Sequence, residues 1–169
     1  MNLVVHHNGG AVWNGRPLMC VIGYGGVSNH KQEGDGTTPV GAWPAREVFF
    51  RGDRITQPIT KLPCQSLSPR DGWCDDPLDS QYNRRVELPY PASHEFMMRE
   101  DSLYDLIVVL GYNDEPVVAG RGSAIFLHVA APDLKPTQGC IALRPRDLLR
   151  VVSAFVPGDI VEVVGPTAI

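Results

Sequence analysis

The stretch Ala124–Leu143, AIFLHVAAPDLKPTQGCIAL, holds the residues best suited to covalent chemistry. His128 ends an apolar run, a proline-bearing connection follows, and Gly139-Cys140 enters a second apolar run. A cysteine attacks as the thiolate, which near neutral pH requires a base or a cation beside it, and His128 is the nearest base in sequence. A glycine before the cysteine lets the backbone approach closely and aim its N–H groups at one point. Two convergent N–H donors would hold the oxyanion of a tetrahedral intermediate, so the pattern suits acyl transfer. The unreactive alternative is a core cysteine beside a hydrogen-bonded strand-end histidine. The two residue types alone leave both readings open.

The elements that must position these residues are mostly strands. The chain has 169 residues, 43% hydrophobic and 20% charged, the size of one domain spanning residues 1–169. Its 17 glycines and 15 prolines exceed the usual combined share of about 12%, which disfavours a helical bundle and favours short strands joined by turns. Leu3–His6, Ala11–Trp13 and Leu18–Ile22 read as a meander, with Asn14-Gly15 the strongest hairpin signal. Gly23–Gly41 is Gly-rich and polar, a long ordered loop or lid. Ala45–Phe50, Leu103–Tyr112, Ala124–Val129 and Ile160–Val164 read as further strands, and residues 51–102 as irregular, with a short helix around Ser93–Arg99. Pro145 opens a helix whose apolar face is Leu148, Leu149, Val152 and Phe155, and Pro157-Gly158 stops it. The fold class is mainly β with one or two short helices.

Charge and cysteine usage narrow the function. A net charge of -4 argues against a nucleic-acid surface, and no apolar run approaches the ~20 residues that span a bilayer. The N-terminus Met1-Asn2-Leu3-Val4-Val5-His6-His7 has neither a basic leader nor an apolar core. The expectation is a cytoplasmic protein, or a periplasmic one if another export route carries it. Cys20, Cys64, Cys74 and Cys140 form no CxxC, so a zinc site has little support; reduced thiols are expected, with a Cys64–Cys74 bridge the one plausible exception. His6, His7 and His94 read as surface or strand-edge residues, and His30 and Lys31 as solvated loop residues or cleft lining. Asp75 and Asp76, before Pro77, read as a turn rather than an acid–base pair. Arg84, Arg85, Arg121 and Arg144 are candidates to clamp a substrate carboxylate, because arginine presents a planar fork. Tyr112 and Asn113, ending a central strand, are candidate cleft residues.

Thr137-Gln138-Gly139-Cys140-Ile141, with His128 upstream, resembles the catalytic motif of the L,D-transpeptidase (YkuD-like) family, a histidine followed by Ser/Thr-x-Gly-Cys-aliphatic. The resemblance extends to Gly34-Asp35-Gly36-Thr37-Thr38-Pro39-Val40-Gly41, similar to the family's (D/E)G-x-TP-x-G stretch, and to Leu110-Gly111-Tyr112-Asn113 and Gly122–His128, similar to the strands before its active site. It covers most of the chain, in order, and is closest to the short members. It implies a β-sandwich-like catalytic domain with Cys140 as nucleophile, His128 as base, the Gly139–Cys140 backbone as oxyanion hole and Thr137 and Gln138 in support. The chain departs from the commonest pattern at Gln138, where the family has histidine, and at Ala142, where it has arginine; Arg144 lies two positions later. Its His-to-Cys interval is also shorter. These departures bear on substrate and acceptor preference more than on the nucleophile.

The implied substrate is the peptide stem of peptidoglycan or its muropeptide fragments. Cys140 would attack the carbonyl before the terminal D-residue of a tetrapeptide. The thioester would pass to water, making the protein an L,D-carboxypeptidase, or to a stem amine, making it a cross-linking L,D-transpeptidase. No metal or organic cofactor is implied, and carbapenem-type β-lactams are the implied covalent inhibitors. The rival readings are a peptidoglycan-binding module without catalysis and, more remotely, a zinc protein.

Overall fold

The structure is a computed structural model and describes residues 2–166. The span expected for the domain, 1–169, therefore includes four residues, Met1 and 167–169, that lie outside the described ones. Strands hold 37% of the chain and helix 6%, so the molecule is mainly β, as the turn-rich composition predicts.

Strands β1 (Asn2–His6), β2 (Gly10–Trp13) and β3 (Arg16–Val21) form the meander. Asn14 and Gly15 join β2 to β3 with φ of 49° and 73°, the left-handed pair that a tight hairpin requires. The Gly-rich loop contains only β4 (Val27–Ser28) and β5 (Thr38–Pro39), which pair in parallel. Strand β6 (Gly41–Phe50) follows, and then β7 (Cys64–Ser66), β8 (Asp71–Cys74), β9 (Arg85–Glu87) and β10 (His94–Phe96). The remaining elements are β11 (Leu106–Leu110), β12 (Phe126–Val129), β13 (Ile141–Leu143), α1 (Pro145–Ala154) and β14 (Ile160–Val164).

The main sheet runs β11-β12-β13-β3-β2-β1-β14-β6-β7, and β11 also pairs with β6. Gly41–Pro44 of β6 lie against β14, whereas Ala45–Phe50 lie against β11. This long strand thus passes from one half of the sheet to the other and closes a ring, which leaves little exposed edge. Inside the ring the core is Leu3, Val5, Val48, Val108, Leu127, Ile141, Leu143 and Val161, all fully buried. Helix α1 seals it with Leu148, Val151, Val152 and Phe155. Leu149, expected on that face, is 47% exposed; at 100° per residue Val151 falls beside Leu148 and Leu149 does not.

Residues 67–104 depart most from expectation. The three-stranded sheet β10-β8-β9 stands where irregular chain was expected, and Ser93–Arg99 contains β10 rather than a helix. Pairing of His94 with Cys74 and Phe96 with Gly72 supplies the backbone partners that a three-residue strand cannot signal by itself. This small sheet packs on the main one through Phe49, Trp73, Met97, Tyr104 and Phe126, a buried cluster that also holds Cys140. All four cysteines are free thiols, with Cys64 and Cys74 on different sheets.

Candidate active site

Strands β12 and β13 run parallel with His128 level with Ala142, so the residue before β13, Cys140, lies beside the start of β12. The Phe126 N–H donates to the Cys140 Sγ at 3.4 Å. The loop joining the strands is tied down at Thr137, which donates its N–H to the Ile22 carbonyl at 3.0 Å and accepts from the Tyr24 N–H at 2.8 Å. Gly139 has φ +135°, and a Cβ there would stand 2.8 Å from the Thr37 carbonyl oxygen, so only glycine fits. The Thr137 hydroxyl accepts from the Gly139 N–H at 3.1 Å and donates to the Cys140 carbonyl at 2.6 Å, which explains a hydroxyl residue at that position.

In this structure the Gly139 N–H is hydrogen-bonded to Thr137, and no partner is seen for the Cys140 N–H among the described residues.

His128 is 4% exposed, and its Nδ1 donates to the Val129 carbonyl at 2.8 Å. That bond fixes the tautomer and leaves Nε2 to accept a proton. Tyr104 meets the imidazole edge-on at 5.3 Å. Burial lowers the imidazole pKa to about 4, so the ring is neutral near pH 7. The Cys140 thiol donates to the Ala124 carbonyl at 3.1 Å. Burial, with Glu95 acting the same way, raises its pKa to about 12, against the Phe126 N–H, Lys31 and Arg99. The pair at rest is a neutral thiol and a neutral imidazole. The thiol bonds to Ala124 and Phe126, and no hydrogen bond joins it to His128 among the described residues. Both side chains line one cavity of about 840 Å³, together with Lys31, Glu95, Arg99, Tyr104 and Gln138. Catalytic hydrogen bonds are commonly loose before substrate tightens them.

The tentative binding residues lie elsewhere. Tyr112, Asn113 and Arg121 line a second cavity of about 640 Å³, whose lining shares Lys31 with the first. Arg84 and Arg85 line a third, and Arg144 is the exposed N-cap of α1. Asp76 accepts from the Leu78 N–H in a turn, whereas Asp75 borders the Cys140 cavity. Glu95, Arg99 and Tyr104 were not legible as site residues, since they reach the cavity only through the small sheet and the segment after it. Among the described residues no group of three or more His, Cys, Asp or Glu is arranged to hold a metal ion, and no helix is long and apolar enough to cross a membrane.

Among solved structures the chain is similar to the helical cell shape determining protein Pgp2 from Campylobacter jejuni, at 15% identity and a TM-score of 0.47 over 99% of this chain and 48% of that one. The K307A mutant of Pgp2 gives 16% identity and a TM-score of 0.49 over the same shares. The chain spans about half the length of these solved structures, and likenesses so distant carry no argument about activity. No curated protein matches the chain. The family model of the L,D-transpeptidase catalytic domain, YkuD, matches residues 1–163. With nearly its whole length matched, the chain belongs to the L,D-transpeptidase catalytic domain family.

Proposed function

We propose that the protein is a cysteine acyl-transferase that removes the terminal D-residue from peptidoglycan stem tetrapeptides through a thioester on Cys140. The observation that carries this reading is the shared cavity of Cys140 and His128, with the imidazole held by Val129 so that Nε2 is its free nitrogen. In the first half-reaction the thiol proton passes to His128 Nε2 while sulfur bonds to the carbonyl carbon. The carbonyl electrons move onto oxygen, facing the Cys140 N–H. The carbon–nitrogen bond then breaks, and the departing amine takes the proton from His128. In the second half-reaction His128 draws a proton from the acceptor, whose oxygen or nitrogen bonds to the carbonyl carbon as the carbon–sulfur bond breaks. The departing sulfur takes that proton back from His128 to restore the thiol. Water as acceptor gives the carboxypeptidase, and an amine of another stem gives the transpeptidase.

Hydrolysis needs no second binding site, and water is the acceptor in this reading. The test is mass spectrometry of products from a defined tetrapeptide, with and without an amine-bearing stem. Tripeptide is expected without added amine, together with a carbapenem adduct that is lost in Cys140→Ala. Tripeptide that forms only as a cross-linked dimer after amine addition would replace water by amine as the acceptor. A protein that yields neither product nor adduct would be the non-catalytic binding module instead.

A further inference from the structure

The Gly-rich loop carries a charged side chain that the proposed reaction does not use. Lys31 is buried between the exposed His30 and Gln32, and its side chain is only 4% exposed. Two glycines make room for it. A Cβ on Gly122, which has φ +109°, would stand 2.8 Å from Lys31 Cε and 3.3 Å from Cδ. A Cβ on Gly139 would stand 3.2 Å from Lys31 Nζ. The aliphatic stem thus lies on the segment leading into β12, and the ammonium reaches the residue just before the nucleophile. Asp35 fixes the head: its Oδ1 accepts from Lys31 Nζ at 2.9 Å. The Thr37 N–H at 2.8 Å and the Gln32 N–H at 2.7 Å hold the same carboxylate. Burial opposes ionisation of Asp35, but these bonds outweigh it and keep its carboxyl pKa at about 2. The cation is therefore immobilised by an anion that is itself held on several sides, at little further entropy cost when charge develops beside it.

We propose that Lys31 is a positioning cation that favours the thiolate form of Cys140. This role concerns the thiol alone and rests on the acyl-transfer reading only for its use in turnover. The other groups facing Cys140 set what Lys31 must offset. Glu95 from β10 opposes the thiolate; Arg99 and Tyr104 come from the segment after β10, and His128 from β12. A fixed ammonium within the same low-dielectric pocket counters part of the penalty that burial and Glu95 impose.

The experiment follows alkylation of Cys140 by iodoacetamide between about pH 6 and pH 9, with modification located by peptide mass spectrometry because three other thiols are present. Lys31→Met keeps the stem that packs on Gly122 and removes the charge. The rate–pH curve is expected to move to higher pH by about one unit, with alkylation near pH 7 slowed about three- to tenfold. Lys31→Arg should stay within about threefold of the parent, and Lys31→Gln should repeat the Met result and serves if the Met variant does not fold. A purely structural role predicts the opposite sign, because loosening the loop would expose the thiol and speed alkylation. Unchanged or faster alkylation in the neutral variants overturns the proposal. The assay needs no peptide substrate, so it reads Lys31 even if the assigned reaction is wrong.

Discussion

Two parts of the molecule meet at Cys140 on different terms. Strands β12 and β13 and their connecting loop supply Cys140 and His128 within a short stretch of chain, held by main-chain bonds and two threonine hydroxyls. Residues 67–104 fold over them as a separate small sheet and supply the surroundings: Trp73 edge-on to Phe126 at 5.0 Å, Tyr104 beside His128, and Glu95 hydrogen-bonded by the Tyr104 hydroxyl at 2.8 Å. The first part brings the thiol and the imidazole to one cavity. The second decides how dry the site is and hence how far the thiol and imidazole are pushed from their solution behaviour. The cysteine and histidine can therefore be picked out in sequence, while the surroundings that shift their protonation cannot.

The largest expected effect falls on the strand pair. His128→Ala should slow acylation by about 10²–10⁴-fold, the usual contribution of a general base. The parent enzyme should also show where the imidazole titrates. Only the neutral ring accepts the thiol proton, and burial holds its pKa near 4, so kcat/KM should stay level as pH falls through 6 and drop only as it approaches 4. A limb near pH 6.5, measured as a pH–rate profile on a short tetrapeptide, would mean that the small sheet does not exclude water from His128 during turnover. That result would erase the contrast between the two parts.

A smaller loss is expected from Asn83, one of the residues through which the small-sheet region holds the segment leading into β12. Its Oδ1 accepts from Trp73 Nε1 and from the Ala124 N–H, both at 3.0 Å. Its Nδ2 donates to the carbonyls of Tyr112 at 3.0 Å and Asn113 at 2.8 Å. Ala124 in turn presents the carbonyl that accepts the Cys140 thiol. Asn83→Ala strands two donors and two acceptors. At roughly 1–3 kcal/mol for each group left unpaired, and with water repairing some, a stability loss of about 3 kcal/mol is expected in chemical denaturation. Activity should fall in the fraction that remains folded, because Ala124 no longer orients the thiol. Stability lost without any change in kcat would confine Asn83 to a structural role.

What was legible followed from local rules. Asn14-Gly15 demands its hairpin, Pro145 and Pro157-Gly158 bracket α1, and Gly139-Cys140 announces a close backbone approach. The strands β8, β9 and β10 were not legible: at three or four residues each, broken by prolines, they show no period and gain their partners only in three dimensions. Glu95 and Tyr104 were missed for that reason. Lys31 was named as cleft lining or solvated loop, and nothing in the loop's polar composition reveals that Gly122 and Gly139 would bury it.

The smallest effects are expected at the arginines that sequence alone nominates. Arg84, Arg121 and Arg144 are exposed, and none of them lines the cavity of Cys140 and His128. Substitution of each by alanine should change kcat/KM on a short tetrapeptide by no more than about threefold, the usual range for exposed positions. The three differ in their connection to the site. Arg144 caps α1, and Arg84 lines the third cavity, whose lining shares no charged side chain with the first. Arg121 lines the cavity that shares Lys31 with the first, so it is the arginine placed to touch a longer ligand extending past that lysine. Repeating the Arg121→Ala measurement on a stem that still carries its sugars separates the two cases. An effect that grows beyond about tenfold only on the larger substrate would place the second cavity on the substrate path, whereas threefold or less on both confines recognition to the pocket shared by the strand pair and the small sheet.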